Sequence, residues 1–297
     1  MSTGPPSDPI FHLSTVTNGE LAAWVWREDL KEIRPTLVFA HATSFHGRVW
    51  DAIIERLPQN HAVALDLRGH GESSGGPIDH WNTISADIAD QLDDLNLSGC
   101  IGIGHSLGGH AILQCAADRP ELFAGLVLFD PVIAAPEYYA LQDAEADEAM
   151  ARVATRRQKH FRNIEEMIAR YSDREPFSLL EESTFQVYCR FGLKDAPDVG
   201  GMQLSCSPES EAAVYRSSRS NGAILNAAAS VDVPVALVRA KPGAFSDFMA
   251  SATWPGLAKT MRQAIDIERP DMSHFHPLED PDDAAQIIRE FENRLSQ

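Results

Sequence analysis

Apolar residues recur along this chain with two different periods, and the alternation between them sets out an architecture. FHLSTVTNGELAAWVW (residues 11–26) alternates apolar and polar positions around Asn18-Gly19, a dipeptide suited to the left-handed positions of a tight turn, so a hairpin is predicted there. Beyond it, TLVFA (36–40) and HAVALDL (61–67) are short strand-like runs, and VWDAIIERL (49–57) between them has helical spacing. The same alternation continues through TISADIADQLDDL (83–95, helix), CIGIGH (100–105, strand), LGGHAILQCAA (107–117, helix) and GLVLFD (125–130, strand). Strands separated by helices pair in parallel through right-handed crossovers, which predicts an α/β fold: an open, mostly parallel sheet covered by helices on both faces.

The alternation then stops for about 95 residues, far longer than an ordinary connection. Helical patterns occupy the interval, in AEADEAMARVATRRQKHF (144–161), IEEMIARY (164–171) and STFQVYCRFG (183–192), and they predict an inserted helical subdomain. Strand pattern returns at VPVALVRA (233–240) and AIDIER (264–269), and the chain closes on a helical DDAAQIIREFENRL (282–295). The domain reading is a core of residues 1–133 and 229–297 and a helical cap, or lid, of residues 134–228.

Composition narrows the class. Lys and Arg number 25 against 43 Asp and Glu, a net charge of −18 that repels nucleic acid and anionic lipid, so neither is an expected partner. The four cysteines, Cys100, Cys115, Cys189 and Cys206, have no CxxC spacing, so neither a zinc site nor a disulfide framework is suggested. The opening MSTGPPSDPIF lacks a basic segment followed by an apolar run, and no stretch has the length of a membrane span, from which a cytoplasmic location is expected.

Candidate chemistry sits at the strand ends, where open parallel sheets bind their ligands. In GHSLG (104–108), Ser106 stands between two glycines, after a strand and before a helix. A turn that sharp thrusts the hydroxyl outward while the first helical amides, at the positive end of the dipole, point into the same space. The arrangement suits attack on a carbonyl, since the developing oxyanion needs donors already in place.

Four segments in order carry a resemblance: GHSLGG (104–109), HATSFHGRVW (41–50), DLRGHGES (66–73) and SHFHPLEDP (273–281). With them the chain resembles the α/β-hydrolase superfamily over essentially its whole length, and its first two segments resemble that family's nucleophile elbow and oxyanion loop. The family's order of Ser, then acid, then His implies Ser106 as nucleophile and His274 as general base. By position, the oxyanion donors are the amides of Thr43 and Leu107, although Ala42 stands where the family has glycine. The usual place for the acid falls on Gly243, which has no carboxyl; Asp130, one strand earlier, is favoured over Asp247.

Other residues receive quieter readings. His276 is expected to be a lid contact or surface residue, His105 to pack away from the nucleophile, and Arg68, His70 and Glu72 to brace loops. The basic run ATRRQKHFR (154–162) reads as a solvated helix face, with a receptor for a carboxylate-bearing substrate as its alternative. Phe161, Tyr171, Phe177, Tyr188 and Phe191 either line an acyl or alcohol pocket or pack helices. The resemblance implies a serine hydrolase of a small or medium carboxylic ester or lactone, without cofactor or metal. Carbon–carbon bond hydrolysis of a diketone or dienoate, and a ligand receptor on a hydrolase fold, stand as alternatives.

Overall fold

The computed structural model describes residues 8–16, 19–74, 76–141, 143–244 and 247–297. Strands β1 (Ile10–Val16) and β2 (Gly19–Trp26) form the expected antiparallel pair, with Asn18 of the turn outside the described residues. β3 (Leu37–Ala40) and β4 (Ala62–Leu65) follow, separated by α1 (Asp51–Glu55), and α2 (Asn82–Asp94) leads into β5 (Cys100–His105). Then come α3 (Leu107–Asp118) and β6 (Phe123–Phe129). All of Leu37, Val38, Phe39 and Ala40 are buried, because a parallel strand with helices on both faces has no polar side.

After β6 the chain leaves the sheet. It forms α4 (Pro136–Ala140), α5 (Ala144–Ala154), β7 (His160–Phe161), α6 (Ile164–Tyr171), α7 (Glu182–Phe191), β8 (Leu193–Asp195), β9 (Met202–Leu204), α8 (Pro208–Arg216) and α9 (Ile224–Ser230). Helix α5 ends at Ala154 rather than running to Phe161, since the chain turns at Thr155–Arg157 to deliver β7 to a small sheet of order β7-β9-β8. That sheet adds strand structure to a segment expected to be helical. The sequence-based boundary at 228/229 falls inside α9, whose Ile224, Ala227 and Ala228 lie in the same apolar cluster as α2 and α3.

The chain returns to the sheet as β10 (Val235–Arg239) and β11 (Ala264–Glu268) and ends in α10 (His276–Glu279) and α11 (Pro281–Leu295). Among the described residues the main sheet has eight strands in the order β1-β2-β4-β3-β5-β6-β10-β11. Only β2 runs against its neighbours; the other pairings are parallel. One apolar cluster joins the sheet to α2, α3 and α9; the other joins its opposite face to α1, α11 and much of the insertion, including Phe161, Met167, Phe185 and Tyr188. No helix among the described residues is long and apolar enough to cross a membrane. All four cysteines are free and buried, and burial pushes the Cys100, Cys115 and Cys189 thiols up to about 12.

Two short contacts bind the layers where function is expected. Arg68 on the loop after β4 forms a buried ion pair with Asp87 of α2, the bracing role anticipated for it. The start of α3 lies so close to β3 that a Cβ on Gly108 would run into the carbonyl oxygen of Ala40. Gly108→Ala is therefore expected to lower stability by about 1–3 kcal/mol, the usual cost of overpacking a rigid contact, as measured by urea denaturation.

Candidate active site

The site begins where β5 stops. Ser106 has φ 56° and ψ −117°, a left-handed backbone that a side chain adopts only under constraint, at a cost of about 1–3 kcal/mol. Three hydrogen bonds hold it: its N–H donates to Phe129 O at 3.1 Å, and its carbonyl accepts from His110 and Val132 N–H, each at 3.1 Å. The glycines of GHSLG serve this bend by being small. A Cβ on Gly104 would come within 2.5 Å of Gly109 Cα, so the strand end and the helix start could not meet.

His274 arrives on the loop between β11 and α10. Its N–H donates to Met249 O at 3.0 Å, and its carbonyl accepts from His105 Nε2–H at 2.8 Å. His105 thus packs as expected and also anchors the loop; burial pushes its imidazole down to about 3, so it stays neutral. The His274 ring spans two partners, with Nε2 2.9 Å from Ser106 Oγ and Nδ1 2.5 Å from Asp130 Oδ2. A carboxylate can only accept, so Nδ1 carries the proton and Nε2 is left to receive the serine hydroxyl.

Asp130 occupies the bend after β6 with φ 43°, its N–H donating to Val238 O at 2.7 Å. Burial raises its carboxyl, but hydrogen bonds from His274, from the Ser251 hydroxyl and from Ala252 N–H at 2.9 Å outweigh it. The net shift is downward, so the group is ionised. Asp247 is exposed, and its Oδ1 accepts Met249 N–H at 2.9 Å instead of an imidazole proton. Of the two candidate acids, Asp130 is the one in contact with His274. Ser251 and Ala252 escaped the sequence reading because a turn outside any regular element brings them to Asp130; no periodicity or motif marks them.

Thr43 lines the same cavity as Ser106, and Leu107 follows Ser106 as the first residue of α3. Gly108 N–H donates to His41 O at 3.1 Å, which ties the loop after β3 to the first turn of α3. His41 stiffens that loop: its Nδ1–H donates to Ala42 O at 2.7 Å and its Nε2 accepts Leu67 N–H at 3.0 Å, and burial keeps the ring neutral. Among the described residues the amides of Thr43, on the loop after β3, and of Leu107, at the first position of α3, donate to no protein acceptor.

Ser106 and His274 open into a cavity of about 520 Å³. Its walls are mainly apolar; Tyr138, Met150 and Tyr215 of the insertion face Ala42, Thr43 and Phe275 of the sheet side. Arg219 also borders it, fixed by Asp147 at 2.8 Å and lying 3.8 Å from the centre of the Tyr138 ring. Among the described residues no three His, Cys, Asp or Glu side chains converge as a metal-binding group.

Two quieter readings are corrected. His276 is buried rather than exposed, with Nε2 2.7 Å from Asp283 and its ring 5.6 Å from that of Phe129, because the short turn of α10 directs it under the end of the sheet. Arg157 is no solvated helix residue; it lies beyond α5, pairs with Glu211 and donates to the Tyr188 hydroxyl at 3.0 Å. Of the aromatics, Phe161 and Tyr188 are packing residues in the cluster above the sheet, and Phe191 stacks on Arg48 at 4.1 Å.

Comparisons with known proteins agree with this architecture. A segment of 97 residues is 38% identical to lipase LipV of Mycobacterium tuberculosis, and one of 95 residues is 37% identical to a pimeloyl-[acyl-carrier protein] methyl ester esterase of Nitrosomonas europaea. Each match takes in 32% of this chain and 36% of the relative, so the chain spans about a third of the length of these curated relatives. The crystal structure of E-2-(acetamidomethylene)succinate hydrolase superposes with a TM-score of 0.75 over 96% of this chain and 99% of that one, at 21% identity, a likeness of fold. The model of the alpha/beta hydrolase family matches residues 37–287, six of the eight strands of the sheet together with the segment inserted in it, and the chain belongs to that family.

Proposed function

We propose that the protein hydrolyses carboxylic esters of small or medium size, lactones among them, through an acyl-enzyme. The observation that carries this reading is a continuous relay from Ser106 Oγ through His274 to ionised Asp130, opening beside two unengaged amides into an apolar cavity. The names of the lipase and the esterase among the relatives support it.

In this mechanism Ser106 Oγ attacks the ester carbonyl as its proton passes to His274 Nε2. Asp130 holds the ring in the productive tautomer and stabilises the imidazolium that forms. The carbonyl oxygen becomes an oxyanion and takes hydrogen bonds from the amides of Thr43 and Leu107, which donate to no protein acceptor. Collapse expels the alcohol, which leaves with the proton from His274. A water then attacks the acyl-serine while His274 takes its proton, and the second collapse returns the proton to Ser106 and frees the acid.

The segment of residues 134–228 acts in this reading as a cap. It supplies Tyr138, Met150 and Tyr215 to the roof of the cavity, and so sets the shape of the substrate and the exclusion of water.

Turnover of p-nitrophenyl butyrate tests the assignment. Ser106→Ala is expected to lower kcat by about 10⁶, and unchanged turnover would refute the mechanism. Asp130→Asn is expected to lower kcat by about 10⁴, by favouring the wrong tautomer, whereas Asp247→Asn should stay within about threefold of wild type, less than 1 kcal/mol of barrier. The reverse ranking would make Asp247 the acid.

A further inference from the structure

A second cavity of about 540 Å³ lies against the first and shares Met150, Tyr215, Phe248 and Phe275 with it. Its character differs. Four arginines, Arg156, Arg157, Arg170 and Arg174, border it among apolar walls that include Phe45, Tyr171 and Phe177. The acidic side chains on its lining are Glu175 and Glu211, so positive charge is in excess here although the chain as a whole carries −18.

The arginines are not equally occupied. Arg157 is committed to Glu211 and Tyr188. For Arg156, Arg170 and Arg174 no carboxylate stands within ion-pair distance among the described residues, Glu175 included. Arg170 is the telling one: its Nε is buried and has no hydrogen-bond partner, and the Tyr171 ring centre lies 6.0 Å from its guanidinium carbon. Arg170 thus stands on the wall of an open volume with no carboxylate beside it, which leaves the outer N–H donors of its guanidinium for an acceptor that enters the cavity.

We infer that this second cavity receives a carboxylate at the far end of the substrate, so that the ester cleaved at Ser106 is an ω-carboxy ester with an apolar spacer between its two ends. The inference rests on the ester-hydrolase reading above and adds the substrate class. Guanidinium matches a carboxylate through paired N–H···O bonds. The aromatic walls favour a singly charged end group over a phosphate dianion, whose desolvation costs more. They also suit a hydrocarbon spacer better than a compact hydrophilic diacid. The basic run noticed in the sequence thus acts through Arg156, on the wall of the cavity, with Arg170 and Arg174 supplied from α6 and the turn beyond it.

The test compares kcat/KM for the mono-p-nitrophenyl ester of suberic acid with that for p-nitrophenyl methyl suberate, in which the far carboxylate is capped. Wild type is expected to favour the free acid by about tenfold or more, the scale of one charge-assisted hydrogen bond, through KM and less strongly in 1 M salt. Arg170→Gln should collapse that ratio towards one, and Arg174→Gln should reduce it. Equal kcat/KM for the two esters in wild type, or a ratio that survives both substitutions, would overturn the inference. Calorimetry of suberate binding to Ser106→Ala separates the two readings. If neither ester is cleaved, the hydrolase reading fails, while binding that Arg170→Gln abolishes still supports the cavity's role, and absence of binding overturns it.

Discussion

The close approach of α3 to the carboxyl edge of β3 is the constraint on which the rest of this molecule turns. With no side chain on Gly104 or Gly108, the strand end, the bend and the first helical turn occupy a space that would otherwise hold two methyl groups. The chain can then pass from β5 to α3 through a single residue, and that residue takes a strained left-handed conformation. Strain there is sustained by cooperation from outside the bend. Phe129 of β6 and Val132 beyond it each hydrogen-bond Ser106, and His41 holds Gly108, so three strands fix one hydroxyl.

Low polarity around this junction sorts its ionisable groups. Burial depresses His41, His70 and His105, which hold loops as neutral rings through hydrogen bonds with backbone groups. Asp130 is as deeply placed yet remains charged, because four donors, from Ala240, Ser251, Ala252 and His274, converge on it. The charge at the site therefore sits on one carboxylate facing one imidazole. That asymmetry, and not the mere presence of many histidines, sets Asp130 and His274 apart from the neutral rings around them.

The main sheet and the elbow were legible in the sequence because both are local. Glycines around Ser106, apolar runs such as Leu37–Ala40 and the hairpin pattern around Asn18-Gly19 each announce themselves within a short stretch of chain. What was hidden depended on contacts far apart in the chain. The two-residue strand His160–Phe161 is too short for any period to show, and it exists because β9 pairs with it. His276 was read as a lid contact or surface residue because nothing local marks its partners, Asp283 and Phe129, which enclose it. The contact between Asp130 and His274, 144 positions apart, was foreseen only as one of two possibilities, since spacing alone gave no reason why the carboxylate should meet Ser251 and Ala252.

The apolar cluster above the sheet contains Phe39, Trp50 and Ile288 beside Phe161, Met167 and Tyr188 of the insertion, with no polar layer between them. This part of the inserted segment thus shares its hydrocarbon contacts with the sheet, and melting either would strip apolar cover from the other. A substitution in the shared layer is felt on both sides of it, and only those that keep the joint volume filled leave the fold intact.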